Sequence, residues 1–221
     1  MVYVTSDLHG DKERLLEKAI KKLKRTDTLI VLGDFGFLWD GSKREQKTLK
    51  WLSHRRFQLC FIDGCHENFD LLKEYPIVDY MGGKARMIGK RLFYLMRGEL
   101  YNIDDKSIFT MGGGESKDKD DRKEGLNYWR AELPKADEMD KGEESLAKAG
   151  YKVDYILTHD APAKLLMFID MSLHEINWFE AYLDEIMKKT DYMHWLFGCY
   201  HRDIAISTKA TAVYRGIVKL D

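Results

Sequence analysis

The chain has 221 residues, enough for one large domain or two small ones with a sizeable buried core. Its content of 44% hydrophobic and 33% charged residues is ordinary for a globular protein, and a net charge of −1 argues against a general nucleic-acid binder. No apolar run is long enough for a membrane span, and the few cysteines, without a recognisable signal peptide, favour a reducing, cytoplasmic location.

The first half of the chain alternates predicted strands and helices. Short apolar, β-rich runs indicate buried strands, and apolar residues at helical spacing indicate the helices between them. This order predicts parallel strands joined by right-handed crossovers. The predicted strands are Val2 to Thr5, Thr28 to Leu32 and Phe57 to Ile62; the predicted helices are Lys12 to Lys24, with Asp11 as N-cap, and a helix that runs from a Ser42–Glu45 capping box to about His54.

The pattern changes in the second half. Between Lys84 and Met111, short β-like runs are divided by Arg97-Gly98 and by Asp104-Asp105, which suggests hairpins. The later predicted elements are a helix at Glu143 to Ala149, a strand at Asp154 to Thr158, a helix after a Ser172–Glu175 capping box with an apolar face of Ile176, Phe179, Leu183, Ile186 and Met187, a strand at His194 to Phe197, and two short closing β-runs.

A Gly-rich and densely charged segment lies at about 112–135. Such a composition is typical of a solvated loop. The alternative is a flap over an active site, from which Arg122 or Arg130 would bind a phosphate of the substrate.

Residue types that bind metals follow five of the predicted strands. A lone acid or histidine at a strand exit is often structural or part of a turn, but five in succession are hard to explain by turn preference. Open α/β sheets bind ligands at the carboxyl ends of their strands, and carboxylates with imidazoles suit manganese, iron or zinc. The residues are Asp7, His9, Asp34, Cys65, His66, His159, Cys199 and His201.

The order of these residues resembles that of the calcineurin-like metallophosphoesterases, and most closely their small bacterial members. The resemblance rests on five motifs between residues 7 and 201, namely Asp7-x-His9, Gly33-Asp34, Gly64-x-His66-Glu67, His159 and Gly198-x-x-His201. It implies one domain over residues 1–221, folded as a four-layer α/β/β/α sandwich of two mixed sheets flanked by helices.

The same resemblance implies a centre of two divalent metals (manganese, iron or zinc) that hydrolyses a phosphomonoester or phosphodiester of a small substrate, by attack of a metal-activated hydroxide. His66 would not be a ligand, but would steady the transition state or protonate the leaving oxygen. The implied ligands are Asp7, His9 and His201 for the first metal, Asp34 as the bridge, and His159 for the second metal.

Two residues depart from the family pattern, and both belong to the second metal. Cys65 stands where the family has asparagine, and Cys199 where it has histidine. As thiolates they would add negative charge, weaken the ion as a Lewis acid and favour zinc over manganese or magnesium. A cysteine sulfur also lies nearer the backbone than the atoms that it replaces, so a backbone built for longer ligands can leave the sulfurs short of the metal.

Three states of the cysteine pair remain open: a Cys-His-Cys-Asp zinc site, an empty second site, or a disulfide. We expect weakened binding of the second metal. The function that competes with catalysis is therefore a catalytically weakened phosphoesterase fold that serves in binding or regulation. A structural zinc protein, which would unfold on chelation, is less favoured because the predicted strands suffice for a core. Cys60, inside an apolar run, is predicted to be a core residue.

Overall fold

Two β-sheets form the centre of the computed structural model, which describes residues 1–169 and 175–221. The first sheet has the strand order β13-β1-β2-β3-β6-β5-β4, with strands numbered along the chain. Its members are β1 (Val2–Thr5), β2 (Thr28–Leu32), β3 (Gln58–Ile62), β4 (Ile77–Tyr80), β5 (Gly83–Gly89), β6 (Leu92–Leu95) and β13 (Val218–Leu220). Strands β1, β2, β3 and β6 are parallel. Strand β13 is antiparallel to β1, β5 is antiparallel to β6, and β4 is antiparallel to β5.

The second sheet repeats this plan with the order β11-β12-β10-β9-β8-β7. Its members are β7 (Glu99–Ile103), β8 (Lys106–Met111), β9 (Lys152–Thr158), β10 (Asp191–Phe197), β11 (Ile204–Ser207) and β12 (Ala210–Ala212). Strands β8, β9, β10 and β12 are parallel, while β7 and β11 are antiparallel edges. Each sheet therefore has a parallel centre, whose carboxyl ends can present several loops at one edge.

Three separate hydrophobic cores divide the fold into four layers. In β2, Ile30 and Leu32 belong to the core between the sheets, whereas Leu29 and Val31 belong to the core on the outer side. This alternation follows from the two-residue period of a strand. The helices are α1 (Lys18–Lys21), α2 (Lys43–Ser53), α3 (Phe69–Glu74), α4 (Ala136–Lys148), α5 (Ala163–Leu166) and α6 (Trp178–Lys189).

Residues of α2 pack in the outer core of the first sheet, and residues of α4 and α6 pack in the outer core of the second. The four-layer α/β/β/α prediction is thus confirmed. Cys60 is fully buried in the core between the sheets, also as predicted. Among the described residues, no helix combines the length and apolar character that a membrane crossing requires.

The predicted helix from Lys12 to Lys24 is wrong as a single element. The structure has a 3-10 turn at Arg14–Leu16, then α1, and Glu17 between them is extended with φ −60° and ψ 148°. The Arg14 side chain turns inward to backbone carbonyls near the end of β1, and this tertiary interaction outweighs the helical pattern.

The expected hairpin at Arg97-Gly98 is also wrong. These residues lie between β6 of the first sheet and β7 of the second, so the chain changes sheets there. Arg97 is buried and donates from Nε to Asp63 Oδ2 at 2.9 Å, which ties the crossing to the end of β3. The Asp104-Asp105 pair does form a hairpin turn between β7 and β8, and both residues have positive φ.

Helix α6 begins later than predicted. Ser172 of the expected capping box lies outside the described residues, and the reciprocal cap is formed by Asn177 and Glu180. Ile176 is 61% exposed and precedes the helix, so it does not belong to its apolar face. Strand β4 was not predicted, α4 begins at Ala136 and not at Glu143, and the end of the chain forms β11, β12 and β13 where two strands were predicted.

Candidate metal centre

The carboxyl ends of five parallel strands bring all eight predicted strand-exit residues together. Each of them belongs to at least one group whose ligand atoms lie within 4.8 Å of one another. The loops contribute Asp7 and His9 after β1, Asp34 after β2, Cys65 and His66 after β3, His159 after β9, and Cys199 and His201 after β10. The two sheets thus each supply part of one cluster.

Five of these residues hold a backbone conformation that side chains disfavour. Asp7, His9, Asp34, Cys199 and His201 have φ values of 49°, 46°, 47°, 66° and 51°. A left-handed non-glycine residue costs about 1–3 kcal/mol, so the packing around each loop has to compensate. Strain concentrated at one edge of both sheets is a common feature of functional sites.

The first ligand group contains Asp7, His9 and His201. The Nε2 atoms of His9 and His201 lie 3.0 Å apart, and His201 Nε2 lies 3.4 Å from Asp7 Oδ1. Asp7 is 2% exposed, and its Oδ1 accepts no hydrogen bond from any residue in the described ranges. A buried carboxylate oxygen without a partner is unfavourable, so these converging donors fit a bound cation.

The second group contains Cys65, His159 and Cys199. The Cys65 sulfur lies 3.7 Å from His159 Nε2 and 3.8 Å from Asp34 Oδ2. The Cys65 sulfur is therefore close to the other candidate ligand atoms of the cluster. All three cysteines of the chain are free, so the pair is not joined in a disulfide.

Two glycines allow the second group to form. A Cβ on Gly33 would lie 2.2 Å from His159 Nδ1, and a Cβ on Gly64 would lie 2.2 Å from Asp34 Oδ1. Any other residue at these positions would displace a ligand side chain. His159 Nδ1 is 2.7 Å from the carbonyl oxygen of Leu32, and a ring that donates there leaves the Nε2 lone pair facing the group.

His66 is coupled to Asp34 by two contacts. Its Nδ1 lies 2.7 Å from Asp34 Oδ2, and its backbone N–H donates to Asp34 Oδ1 at 2.8 Å. The hydrogen bond to Asp34, together with one to Cys65, raises the pKa of His66 to about 10. Burial alone would raise the pKa of Asp34, but the charge of His159 and the hydrogen bonds from His66 lower it. In the protein without metal, Asp34 is an anion beside an imidazolium.

Arg14 holds the loop that carries Asp7. The side chain is 5% exposed, and its Nη1 donates to the carbonyl oxygens of Ser6 and Asp7, each at 2.8 Å. Its Nη2 donates to Thr5 Oγ1 at 3.1 Å and to the Tyr214 carbonyl at 2.7 Å. These bonds join the start and the end of the chain around the first ligand group.

Replacing Arg14 with methionine is expected to lower the free energy of unfolding by about 3 kcal/mol, because several buried carbonyl groups would lose their donor. Denaturant titration of the metal-free protein measures the change. Lys21→Met, at an exposed position of α1, is the matched control. A change in Arg14→Met as small as that of the control would mean that Arg14 does not hold the loop.

Other buried polar residues that support the site were not singled out by the sequence analysis. Glu67 accepts from the Phe35 N–H at 2.7 Å, and burial raises the pKa of its carboxyl. Ser116 donates to Glu132 Oε2 at 2.7 Å and to the Cys65 carbonyl at 3.3 Å. Glu67 was visible in the motif that carries His66, whereas nothing local marks the Ser116–Glu132 pair.

A cleft of about 320 Å³ opens over the cluster. Besides site residues, its lining includes two cations, Lys117 and Arg202, and Arg202 Nη1 also donates to the Ile169 carbonyl at 2.9 Å. Arg122 and Arg130 do not line this cleft: they form ion pairs with Asp118 at 2.7 Å and Glu124 at 3.1 Å, respectively. Arg202 directly follows the candidate ligand His201, so its position near the site could have been predicted from the sequence.

Comparison with protein-family models decides the family. The model described as calcineurin-like phosphoesterase matches residues 1–201. The chain belongs to the calcineurin-like phosphoesterase family. No curated protein matches the chain. Calcineurin-like phosphoesterases are in general metal-dependent and usually bind two divalent ions, and the ligand groups around Asp34 fit such a pair.

Proposed function

We propose that the protein hydrolyses a phosphomonoester or phosphodiester of a small substrate at the cluster around Asp34. The observation that carries the proposal is the position of this carboxylate. Asp34 Oδ2 lies 3.8 Å from His9 Nε2 on one side, and Asp34 Oδ1 lies 3.5 Å from His159 Nε2 on the other. One carboxylate shared by two ligand groups is the arrangement that a two-metal site requires.

Each group of residues has a distinct task in this proposal. Asp7, His9 and His201 hold one cation, the group with His159 holds the other, and Asp34 serves both. When bound, the cations (manganese, iron or zinc) polarise the phosphoryl oxygens and make water a nucleophile at neutral pH. Asp7, Asp34 and His159 are buried, and His9 and His201 lie in loops of strained backbone, so little reorganisation is needed when substrate binds.

His66 supplies the proton for the leaving oxygen. Its Nδ1 is engaged by Asp34, and 29% of its side chain is exposed beside the cleft. In the protein without metal, the hydrogen bond to Asp34 raises the pKa of His66 to about 10, and a ring that engages Asp34 through Nδ1 can carry a proton on Nε2. A proton at this position can pass to an alkoxide as the ester bond breaks.

Lys117 and Arg202 bind the phosphate of the substrate in this proposal. Both line the cleft, and their charges oppose those of Glu115 and Asp118 in the same wall. Arg122 and Arg130, the cations proposed from sequence, do not line the cleft: Arg122 pairs with Asp118 of the cleft wall, and Arg130 pairs with Glu124. We therefore assign substrate binding to the first pair and leave the second pair with a supporting role in the loop.

A second candidate function is binding or regulation by a catalytically weakened phosphoesterase fold. The observation that favours it is the presence of Cys65 and Cys199 in the second ligand group, since thiolates would lower the Lewis acidity of an ion there.

We also propose a reducing, cytoplasmic location, which the three free cysteines support.

The test is metal-dependent turnover of nitrophenyl phosphate and bis-nitrophenyl phosphate by protein stripped of metal and reloaded with manganese, iron or zinc. We expect release of nitrophenol that a chelator abolishes. The control is the double variant Cys65→Asn with Cys199→His. Turnover in this variant but not in the natural chain would favour the second candidate, and no turnover in either protein would contradict hydrolysis.

A further inference from the structure

The two ligand groups on either side of Asp34 differ in chemical character. Asp7, His9 and His201 offer oxygen and nitrogen atoms, whereas Cys65 and Cys199 add two sulfur atoms to the nitrogen of His159. Thiolates select zinc and other thiophilic cations, while carboxylates and imidazoles also accept manganese and iron. The same cluster therefore contains one hard side and one soft side.

The spacing of the soft group is close to that of ligands around one zinc ion. With bonds of about 2.3 Å to sulfur and about 2.0 Å to nitrogen, a tetrahedral zinc separates the two atoms by about 3.5 Å. The Cys65 sulfur is 3.7 Å from His159 Nε2, and it is 3.8 Å from Asp34 Oδ2. Both separations are close to this value, and the ligand atoms of Cys65, His159 and Cys199 all lie within 4.8 Å of one another.

The positions of these donors are fixed by the fold. Cys65 is 9% exposed and His159 is fully buried, so neither side chain has room to turn away. Cys199 has φ of 66°, and its backbone N–H donates to Asp7 Oδ2 at 3.2 Å. The loop that carries the second sulfur is thereby attached to a ligand of the first group.

We propose that Cys65, His159 and Cys199, with Asp34, form a zinc-selective site. The protein would then bind two different cations, one on each side of the Asp34 carboxylate. The first group, of Asp7, His9 and His201, then takes a harder divalent ion such as manganese or iron. This inference rests on the two-metal site of the proposed function, but it does not depend on the substrate or on turnover.

The first experiment uses cobalt(II) as a spectroscopic probe of thiolate ligation. Metal-free protein, kept reduced with a phosphine rather than a thiol, is titrated with Co²⁺. Sulfur bound to cobalt gives an intense near-ultraviolet charge-transfer band that nitrogen and oxygen ligands do not give. We expect the band to grow to one equivalent and to disappear when one equivalent of Zn²⁺ is added.

Two variants make the result specific to the cysteine pair. Cys65→Asn with Cys199→His keeps donors in the group, and we expect it to bind cobalt without the charge-transfer band. Cys60→Ala removes the buried core thiol and is expected to keep the band. Cobalt binding to the natural chain without the band, or a band that survives in the double variant, would overturn the proposal.

A competition experiment tests selectivity directly. The natural chain and the double variant are dialysed against equal Zn²⁺ and Mn²⁺, and bound metals are measured by elemental analysis. Any nitrogen and oxygen site prefers zinc to some extent, so the informative quantity is the difference between the two proteins. We expect the zinc-to-manganese ratio to fall at least about tenfold in the double variant. An unchanged ratio would contradict zinc selectivity even if the protein proves to be an active phosphoesterase.

Discussion

Asp34→Asn is expected to lower kcat for nitrophenyl phosphate by about 10³-fold or more, since metal ions contribute several kcal/mol of charge stabilisation in the transition state. The carboxylate faces both ligand groups, with its two oxygens 3.8 Å from His9 Nε2 and 3.5 Å from His159 Nε2. The asparagine amide has the same shape, but its nitrogen is a poor metal ligand and the group carries no charge. The variant should also retain fewer metal ions per chain, measured by elemental analysis after dialysis.

The matched control for Asp34→Asn is Asp191→Asn. Asp191 begins β10 at the opposite end of the strand from the site, and its side chain is 70% exposed. We expect the control to keep kcat and metal content. Full activity in Asp34→Asn would show that this carboxylate does not bridge the two groups, and the dinuclear interpretation would fail with it.

His66→Gln is expected to lower kcat by about 10²–10⁴-fold, the usual contribution of a positioned general acid, without loss of metal. The loss should depend on the leaving group. Nitrophenolate is a stable anion that needs little protonation, whereas an alkoxide needs a proton as it leaves. The ratio of natural to variant kcat should therefore be larger for an alkyl phosphate than for nitrophenyl phosphate.

The control for His66→Gln is His54→Gln, at the exposed C-terminal end of α2, which should change neither rate. Equal losses with both kinds of leaving group would argue that His66 stabilises charge on the phosphoryl group and does not protonate the leaving oxygen. Loss of bound metal in His66→Gln would instead make His66 a ligand, since its Nδ1 already contacts Asp34.

The site was largely predictable because parallel strands deliver their loops to one edge. Strands β1, β2 and β3 were found from short apolar runs, and their register is aligned, with Thr5 beside Val31 and Leu32 beside Ile62. Polar residues directly after such strands must then be neighbours. The order of those residues along the chain was enough to identify the family, and the family model confirms it.

Features that depend on contacts between distant segments were not predictable. The predicted first helix is interrupted at Glu17, where the Arg14 side chain just before it reaches the carbonyl oxygen of Tyr214, 200 residues away. Ser116 and Glu132 form a hydrogen bond with each other, although both lie in the segment at about 112–135, whose composition is typical of a solvated loop. The left-handed backbone at five site residues is likewise a product of packing, since aspartate and histidine adopt it more often than most side chains but still only in a small minority of positions.

The wide separation of the ligands in sequence has a consequence for the order of folding. His9 and His201 lie 192 positions apart, and His159 comes from the second sheet. A folding intermediate with only the first sheet would hold Asp7 and His9 without His201, and Asp34 without His159. Closing so long a loop is slow and entropically costly, so we expect metal binding to follow the docking of both sheets. A tightly held ion is therefore a marker of a fully assembled chain, and it slows the return to the unfolded state.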